Sequence, residues 1–491
     1  MSLLASRRAH GSGTAPLAAL VLVVLSYSVV QTMLVPTLGV LQHDLNTSAA
    51  GASWAVLSST LLASAVLTPL ISRLGDSRGK REVLLLTLLA HLAGTLGAAF
   101  AWNVASLIVF RAVQGASLAL LPLAFGLIRD VLPPQRVASG LGVAAGAVAG
   151  AAGGGLLLGG LLVDHASWRW LFVVGASVVA LALVAVVRYV PSSPPSAREP
   201  LDVIGALLLG AALVALLLAL TEGPQWGWGG APVLALFAGS VLLGALFLVR
   251  ERRVEHPVVD PALLLGRALG PVHLGALLLG VTQFVFYVLV PKLAELPAGL
   301  PADAARLVDY GFGASVTVAG LVLLPGTALG VPAGGLTGRL EGRLGPRGPL
   351  VLGMGTSAVG GALLAAWHES LWQVTVCYTV IGAGFGLSMA ALPRMVHRAA
   401  PAGDSATANG INTVARTVGG AVGSQAGAAL LASRPVHGTT LPAASGFTLA
   451  FWTAAGVSAA GGALMLLGRR RGPGSGRSAP LPSAAESPIT R

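Results

Sequence analysis

Residues 72–81 read SRLGDSRGKR, a polar, basic segment set between two apolar runs at 51–72 and 83–101. Each run has about the ~20 residues a helix needs to cross a hydrocarbon core. Cationic flanks stay on the cytoplasmic side during insertion, so the segment is expected to be a cytoplasmic loop between two spans. Gly79 permits a tight reversal. Asp76 is placed to accept from helix N-terminal N–H groups or to pair with a nearby arginine, locking two helices in one state. Gly75, Asp76, Arg78, Gly79, Lys80 and Arg81 are therefore candidate gating residues.

Working outward, the chain reads as about fourteen apolar spans, using roughly 280 residues. They lie at 17–41, 51–72, 83–101, 104–127, 137–163, 169–190, 203–221, 232–250, 270–291, 313–335, 349–366, 371–393, 408–432 and 446–468. With both termini cytoplasmic, 24 of the 30 Lys and Arg fall on that side. Arg169, Lys292, Arg306 and Arg434 fall on the other, and only Arg111 and Arg416 lie inside spans. Helices are expected throughout, because an open sheet cannot satisfy its backbone in lipid. The first run is too long for a signal-peptide core and is read as span 1.

Composition agrees. Of 491 residues, 55% are apolar and 10% charged, and mean hydropathy is +0.81, whereas soluble domains carry about 25% charge. The net charge of +12 is dispersed at span ends, which fits topology and anionic inner-leaflet lipid rather than nucleic acid. A lone cysteine, Cys377, excludes an internal disulfide and any cysteine-based metal site. Neither a metal nor a cofactor is expected.

The loop has a weaker second copy. Residues 338–347 read GRLEGRLGPR at an offset of 266, and the same offset lays Gly153-Gly154 on Gly419-Gly420. The copies imply two like six-helix bundles, at 17–190 and 270–468, with two inserted helices at 203–250. The remaining pieces are a cytoplasmic N-terminus at 1–16, linkers at 191–202 and 251–269, and a disordered basic tail at 469–491. Paired repeats around a midplane cavity are a common transporter plan.

Polar residues inside the spans mark the candidate site. Arg111 is one helical turn from Gln114 and Gly115, so the three share a face. Trp102-Asn103 stand about eight residues earlier, ~12 Å along a helix, which is deep for an arginine that merely snorkels. A cavity role in proton coupling is favoured. Further candidates for the substrate pocket are Tyr27, Gln31, Thr32, Gln283, Tyr287, Tyr378, Asn409, Asn412 and Arg416. Each alone can instead cross-link helices. His91 and His273 can titrate, though packing is the plainer reading of both. All 18 carboxylates lie in loops, in the tail or near span ends. Span 5 is rich in glycine, which allows close helix approach.

Together these residues resemble the major facilitator superfamily, and within it the fourteen-span drug–proton antiporters. The resemblance covers nearly the whole chain. Gly75–Arg81 is similar to the family's signature loop after span 2, and Arg111, Gln114 and Gly115 to its span-4 motif, whose Arg is associated with proton coupling. Ser167–Phe172 looks like the entry to span 6, and Asn409, Asn412 and Arg416 with Gly419-Gly420 like the span-13 pattern. Gly142, Gly159 and Gly160 fit the span-5 antiporter motif. In that motif Gly155 is followed by Leu156 where Pro is usual, and Ala151 replaces a glycine. The loop motif opens with Ser72 rather than Gly, and Tyr27 stands where many relatives carry a span-1 Asp.

The resemblance implies a plasma-membrane, multi-pass, bacterial and monomeric exporter of small organic molecules, driven by inward proton flow. An importer or uniporter without antiport remains the alternative. Two arginines and no central carboxylate suit anionic or neutral amphipathic cargo at least as well as strongly cationic drugs. An integral-membrane enzyme is disfavoured: the sequence has no HExxH, P-loop or GxSxG. A transport-dead sensor is disfavoured too, for want of a soluble output domain.

Overall fold

Polar interruptions between apolar runs set where the helices end. The computed structural model describes residues 14–34, 38–47, 51, 54–192, 202–297, 310–401, 403–436 and 441–467. The N-terminus up to residue 13, most of the proline-rich linker and the basic tail lie outside the described residues. Fourteen long helices are described: α1 (Thr14–Thr32), α2 (Trp54–Arg78), α3 (Lys80–Ala99), α4 (Val104–Val131), α5 (Pro134–His165), α6 (Arg169–Tyr189), α7 (Val203–Trp226), α8 (Ala231–Glu251), α9 (Gly270–Glu295), α10 (Val316–Leu344), α11 (Gly348–Ala366), α12 (Leu371–Ala399), α13 (Ser405–Ala432) and α14 (Ala444–Leu467). Short helices at Leu38–Asp44 and Pro261–Leu265 sit between them. Among the described residues there is no β-strand, only a bridge between Pro435 and Pro442.

Thirteen of the fourteen are long and apolar enough to cross a membrane. The exception is α13, which carries Asn409, Asn412, Thr413, Arg416 and Thr417. It packs on α9, α2, α4 and α14, with α7 beside it. Neighbouring helices rather than lipid surround it, so its surface need not be apolar.

Helix ends differ from expectation where local chemistry decides. Span 1 was expected to run unbroken over 17–41, but α1 ends at Thr32. Pro36, which has no N–H to offer a helix, lies outside the described residues. The loop at 72–81 shrinks to one residue: α2 runs to Arg78, Gly79 turns at φ 113°, and α3 starts at Lys80. Only glycine takes that conformation without strain.

Packing sorts the helices into two groups. In the first, α1 lies on α4, α5 and α6, and α3 on α4 and α6; in the second, α9 lies on α13 and α14, and α12 on α10 and α11. The groups meet along two seams, α5 against α10 and α12, and α13 against α2 and α4. The helix α7 packs on α2 and α13, while α8 packs on α7 and presents most of its surface outward.

The two groups share local detail. Asn103 and Ser106 close a capping box at the start of α4, and at the start of α12 Gln373 Oε1 accepts from the Ser370 N–H (3.0 Å). At the end bearing the Gly79 turn, hereafter the basic end, Arg129 at the foot of α4 donates to the carbonyls of Ala400 (3.4 Å) and Pro401 (3.2 Å), just before α13. Arg394 at the foot of α12 donates to the Ala138 carbonyl at the start of α5 (2.5 Å). Each group's fourth helix thus reaches the start of the other's fifth, at positions close to the repeat offset.

Candidate functional site

The middle of the molecule is built around Arg111. Just after it, α4 tightens into a 3-10 segment over Gly115–Ala119, a device that often marks a hinge. The α2 helix holds that segment closely: Ser64 Oγ donates to the Gly115 carbonyl (2.9 Å) and Thr60 Oγ1 to the Arg111 carbonyl (3.2 Å). A Cβ on Gly115 would press on Ala63 and on the α2 backbone at Thr60 and Ser64. Glycine is therefore what lets α4 lie against α2.

Arg111 is 2% exposed. Its guanidinium donates to Gln114 Oε1 (2.5 Å), Gln31 Oε1 (3.1 Å) and the Val56 carbonyl (2.5 Å) in the π-helical first turn of α2. Gln114 Nε2 passes a bond on to Thr95 Oγ1 (2.8 Å). Arg111 and Gln114 together join four helices, α1 to α4. The expected i, i+3 pairing of Arg111 with Gln114 is present.

Across the interface, Arg416 Nη1 reaches Gln283 Oε1 at 3.5 Å, and Gln283 Nε2 donates to the Tyr287 hydroxyl at 3.2 Å. Tyr27 stands one turn before Gln31 on α1 and lies within electrostatic reach of both Arg111 and Arg416. Tyr287 packs against Phe284 and, edge-on, against Phe385 of α12. Tyr27, Gln31, Tyr287 and Arg416 are half-buried, although their partners place them inward. Tyr378 is fully buried behind Tyr287, against Gly326 of α10.

Three candidates do other work. Thr32 Oγ1 bonds its own helix at the Ser28 carbonyl (2.9 Å) and faces Gly155 across the α1–α5 contact. Asn409 donates to the Ser405 carbonyl (2.8 Å). Asn412, one turn nearer the basic end than Arg416, donates to the Val272 carbonyl (3.4 Å) and to His273 Nδ1 (3.4 Å). His273 Nε2 faces the Leu263 carbonyl at 2.9 Å. A carbonyl only accepts, so Nε2 carries the proton and Nδ1 accepts from Asn412. Of the three, only Asn412 bonds a neighbouring helix, while Thr32 and Asn409 bond within their own. His91 is fully buried.

The gating candidates form a layer at the basic end. Asp76, 2% exposed, accepts from Thr407 N (2.8 Å), Thr407 Oγ1 (2.9 Å) and Ala406 N (3.3 Å) in the first turn of α13. Lys80 Nζ lies 3.3 Å from Asp76 and 2.9 Å from Asp130. Arg73 pairs with Asp404 (3.0 Å), and Arg81 donates to the Val187 carbonyl (3.2 Å). A Cβ on Gly75 would overlap Leu123 of α4. Arg78 is exposed and joins none of these contacts. A polar cavity of about 350 Å³ remains here, lined by Arg73, Asp76, Ser77, Asp260, Leu263 and Asp404 among others.

Partners that sequence reasoning missed complete this layer. In the second loop copy Glu341, 6% exposed, binds Arg394 through Nε (2.7 Å) and Nη2, and Arg398 at 2.7 Å. At the foot of the hairpin, Arg250 grips Asp202 with two bonds of 2.7 Å and holds its carboxyl below the usual carboxylate range. At the far end, Trp54 Nε1 donates to Glu222 Oε1 of α7 (2.8 Å). An arginine and a glutamate near the ends of apolar runs were the available signals, but nothing in the sequence pairs them.

The α5–α10 seam is made by glycines. A Cβ on Gly142 would sit 2.9 Å from the Gly334 carbonyl, one on Gly146 3.0 Å from the Val331 carbonyl, and one on Gly160 3.1 Å from Thr317. Gly155 meets α1 instead, and Gly159 is buried. Asp164 closes the far end by accepting from Thr317 Oγ1 (2.6 Å).

Comparison with known proteins supplies an independent line. The sequence model of the Major Facilitator Superfamily matches residues 20–424 and 274–490. The chain is 31% identical over 399 residues to the tetracenomycin C resistance and export protein of Streptomyces glaucescens, covering 80% of this chain and 71% of that protein. It is 33% identical over 466 residues to the puromycin resistance protein pur8 of Streptomyces alboniger, covering 90% and 87%. It is 28% identical over 376 residues to multidrug resistance protein 3 of Bacillus subtilis, covering 75% and 70%. Among solved structures, that of the human organic anion transporter MFSD10 (TETRAN) superposes with a TM-score of 0.63 at 14% identity, covering 93% of this chain and all of that one, a likeness of fold.

Proposed function

The chain belongs to the major facilitator superfamily, and on that premise we propose a secondary active transporter that exports small organic molecules in exchange for protons. Its cargo is a drug, an antibiotic or a lipophilic metabolite. The relatives named for resistance or export support that direction. The observation that carries the reading is the position of Arg111. It is a buried cation in mid-span, bonded to three groups on α1, α2 and α4, and Tyr27 lies within electrostatic reach of both it and Arg416; on this reading the cargo chamber lies between the two helix groups at these residues. A charge so costly in lipid marks a solute path.

Alternating access follows from the layout. The bundles at 17–190 and 270–468 rock about the chamber, with the inserted pair at 203–250 beside them. The basic end faces the cytoplasm of a bacterial cell, with both termini on that side, and a monomer suffices, since both halves of the chamber come from one chain. Asp76, Arg73, Arg129 and Arg394 tie the two halves together at that end, so the chamber is shut toward the cytoplasm here. Arg111, Gln114 and Gly115 serve proton coupling and the cavity. Tyr27, Gln31, Gln283, Tyr287, Tyr378 and Arg416 serve cargo binding. Thr32, Asn409 and Asn412 keep those elements in register, and Gly142, Gly155, Gly159 and Gly160 let them move. Each proton entering gains about 2.3 kcal/mol per 100 mV, enough for roughly fifty-fold accumulation of cargo.

Uptake into inverted membrane vesicles under an imposed pH gradient tests this, screened over antibiotics and dyes. Accumulation that an uncoupler abolishes, and that Arg111→Ala removes, is expected. Accumulation indifferent to the gradient overturns the proton coupling. Absence of any vectorial movement overturns the transporter reading.

A further inference from the structure

We propose that the chamber selects aromatic organic anions, carboxylates or phenolates, bound between Arg111 of one helix group and Arg416 of the other. The proposal rests on the export reading above and adds to it the charge class of the cargo.

The argument starts from how this protein treats its other interior cations. Among the described residues three basic side chains are fully buried: Lys80, Arg111 and Arg394. Lys80 is neutralised by Asp76 and Asp130, and Arg394 by Glu341. Half-buried Arg73 and Arg250 likewise have Asp404 and Asp202, whereas half-buried Arg81 and Arg129, at the basic end, bond only carbonyls. Arg111 and Arg416 are the mid-span cations. Every bond described for Arg111 goes to a neutral amide or carbonyl oxygen, and no described carboxylate pairs with either arginine. A guanidinium buried without a counter-charge is unfavourable unless something supplies one.

The two cations converge. Tyr27 lies within electrostatic reach of both, Arg111 on α4 and Arg416 on α13. Bringing two like charges together across a low-dielectric gap costs free energy that a shared anion reverses. Arg416 also has donors to spare: a guanidinium carries five N–H groups, its described bond to Gln283 is a long 3.5 Å, and the side chain is half-buried rather than sealed. Arg111 keeps a buried Nε with no hydrogen-bond partner. The planar fork of each suits a carboxylate.

The walls favour an aromatic frame. Tyr27 and Tyr287 face the chamber, with Phe284 and Phe385 packed on Tyr287. A flat anion can stack there while its charge reaches the arginines. A cationic amphiphile of the same shape would add a third positive charge to a site with no described carboxylate. An anion touching both arginines also spans the two groups, so its binding acts on the interface that moves.

The test uses two dyes on one xanthene frame, fluorescein (anionic) and rhodamine 123 (cationic), with the purified full chain in proteoliposomes at neutral pH and under a pH gradient. The expected result is transport of fluorescein with kcat/KM at least about tenfold above that of rhodamine 123. Arg416→Gln should raise KM for fluorescein about tenfold and so reduce its preference over rhodamine 123 about tenfold, while Arg416→Lys should fall between. Rhodamine 123 moving as well as or better than fluorescein in the unmodified protein overturns the anion proposal and leaves export standing. Equal loss of both dyes in Arg416→Gln, with the melting temperature unchanged, also overturns it. If neither dye nor a neutral antibiotic moves, both the proposal and the export reading fall.

Discussion

The carboxylate of Asp76 caps the helix that begins at Ser405, taking the backbone N–H and the hydroxyl of Thr407 at 2.8 and 2.9 Å. The two residues belong to opposite helix groups, so this cap is also a latch. Charge-assisted bonds of this kind contribute about 1.5–3 kcal/mol. Asp76→Asn keeps the volume but turns an amide toward donors that need an acceptor. Lys80 keeps Asp130, so α3 should stay anchored. The expected outcome is a shift of about tenfold or more toward states open at the basic end. A reporter cysteine at Leu263, which lines the adjacent cavity, checks it with Cys377 replaced by alanine. Maleimide labelling should accelerate in Asp76→Asn, and an unchanged rate would remove Asp76 from the latch.

Glu341 plays a related part in the second half, but its partners lie mainly within one group. It is the counter-ion of Arg394, which in turn reaches the Ala138 carbonyl across the interface. Glu341→Gln leaves a buried guanidinium uncompensated, which costs about 3–5 kcal/mol. The thermal midpoint of the purified protein should fall clearly. Adding Arg394→Met to Glu341→Gln should recover part of the loss, because the unpaired charge is gone. A double variant less stable than the single one would show that Arg394 matters through packing rather than charge.

Glycines on α5 divide into those that touch α10 and those that do not. A Cβ on Gly146 would meet the α10 backbone at Val331, whereas one on Gly154 meets nothing within 4 Å. Backbone cannot rotate away as a side chain can, so Gly146→Val must push the helices apart, at about 1–3 kcal/mol. Transport by Gly146→Val should drop about tenfold or more while Gly154→Ala works normally. Equal activity in the two would show that the seam tolerates widening.

Much of the plan was legible because it follows from one dimension. Apolar run length gave the spans, and i, i+3 spacing put Gln114 on the face of Arg111. What escaped needs the third dimension. Asp76 and Thr407 are 331 residues apart, and Arg394 meets Ala138 only because two groups face each other. Asn412 looked like a cavity residue because it is polar and in mid-span. Its amide instead goes to the α9 backbone and to His273, and no periodicity separates those two uses of an asparagine. The α13 helix shows the converse: its polar content lowers its hydropathy, and the packing around it explains why that is tolerated.

The inserted helix α7 lies over the seam between α2 and α13. Leu213, Leu216, Leu217 and Leu220 form an apolar cluster with Leu62 and Ala65 of α2 and with Val418 and Ala421 of α13. If the groups rock, α7 cannot stay fixed to both. Its polar tie is to α2, through Glu222 and Trp54 at 2.8 Å, and Gly210 sits close against Val66 of the same helix. On the α13 side the cluster offers only smooth apolar contact, which slides at little cost. So α7 should travel with α2. Disulfides placed between α7 and α2 should leave transport intact, whereas disulfides between α7 and α13 should block it until reduced. Trp54→Phe removes the donor and leaves the Glu222 carboxylate buried, 6% exposed, at about 1–3 kcal/mol. It should speed hydrogen exchange in the first turns of α2 and the last turns of α7 together. Transport surviving an oxidised α7–α13 cross-link would mean that this seam does not open in the cycle.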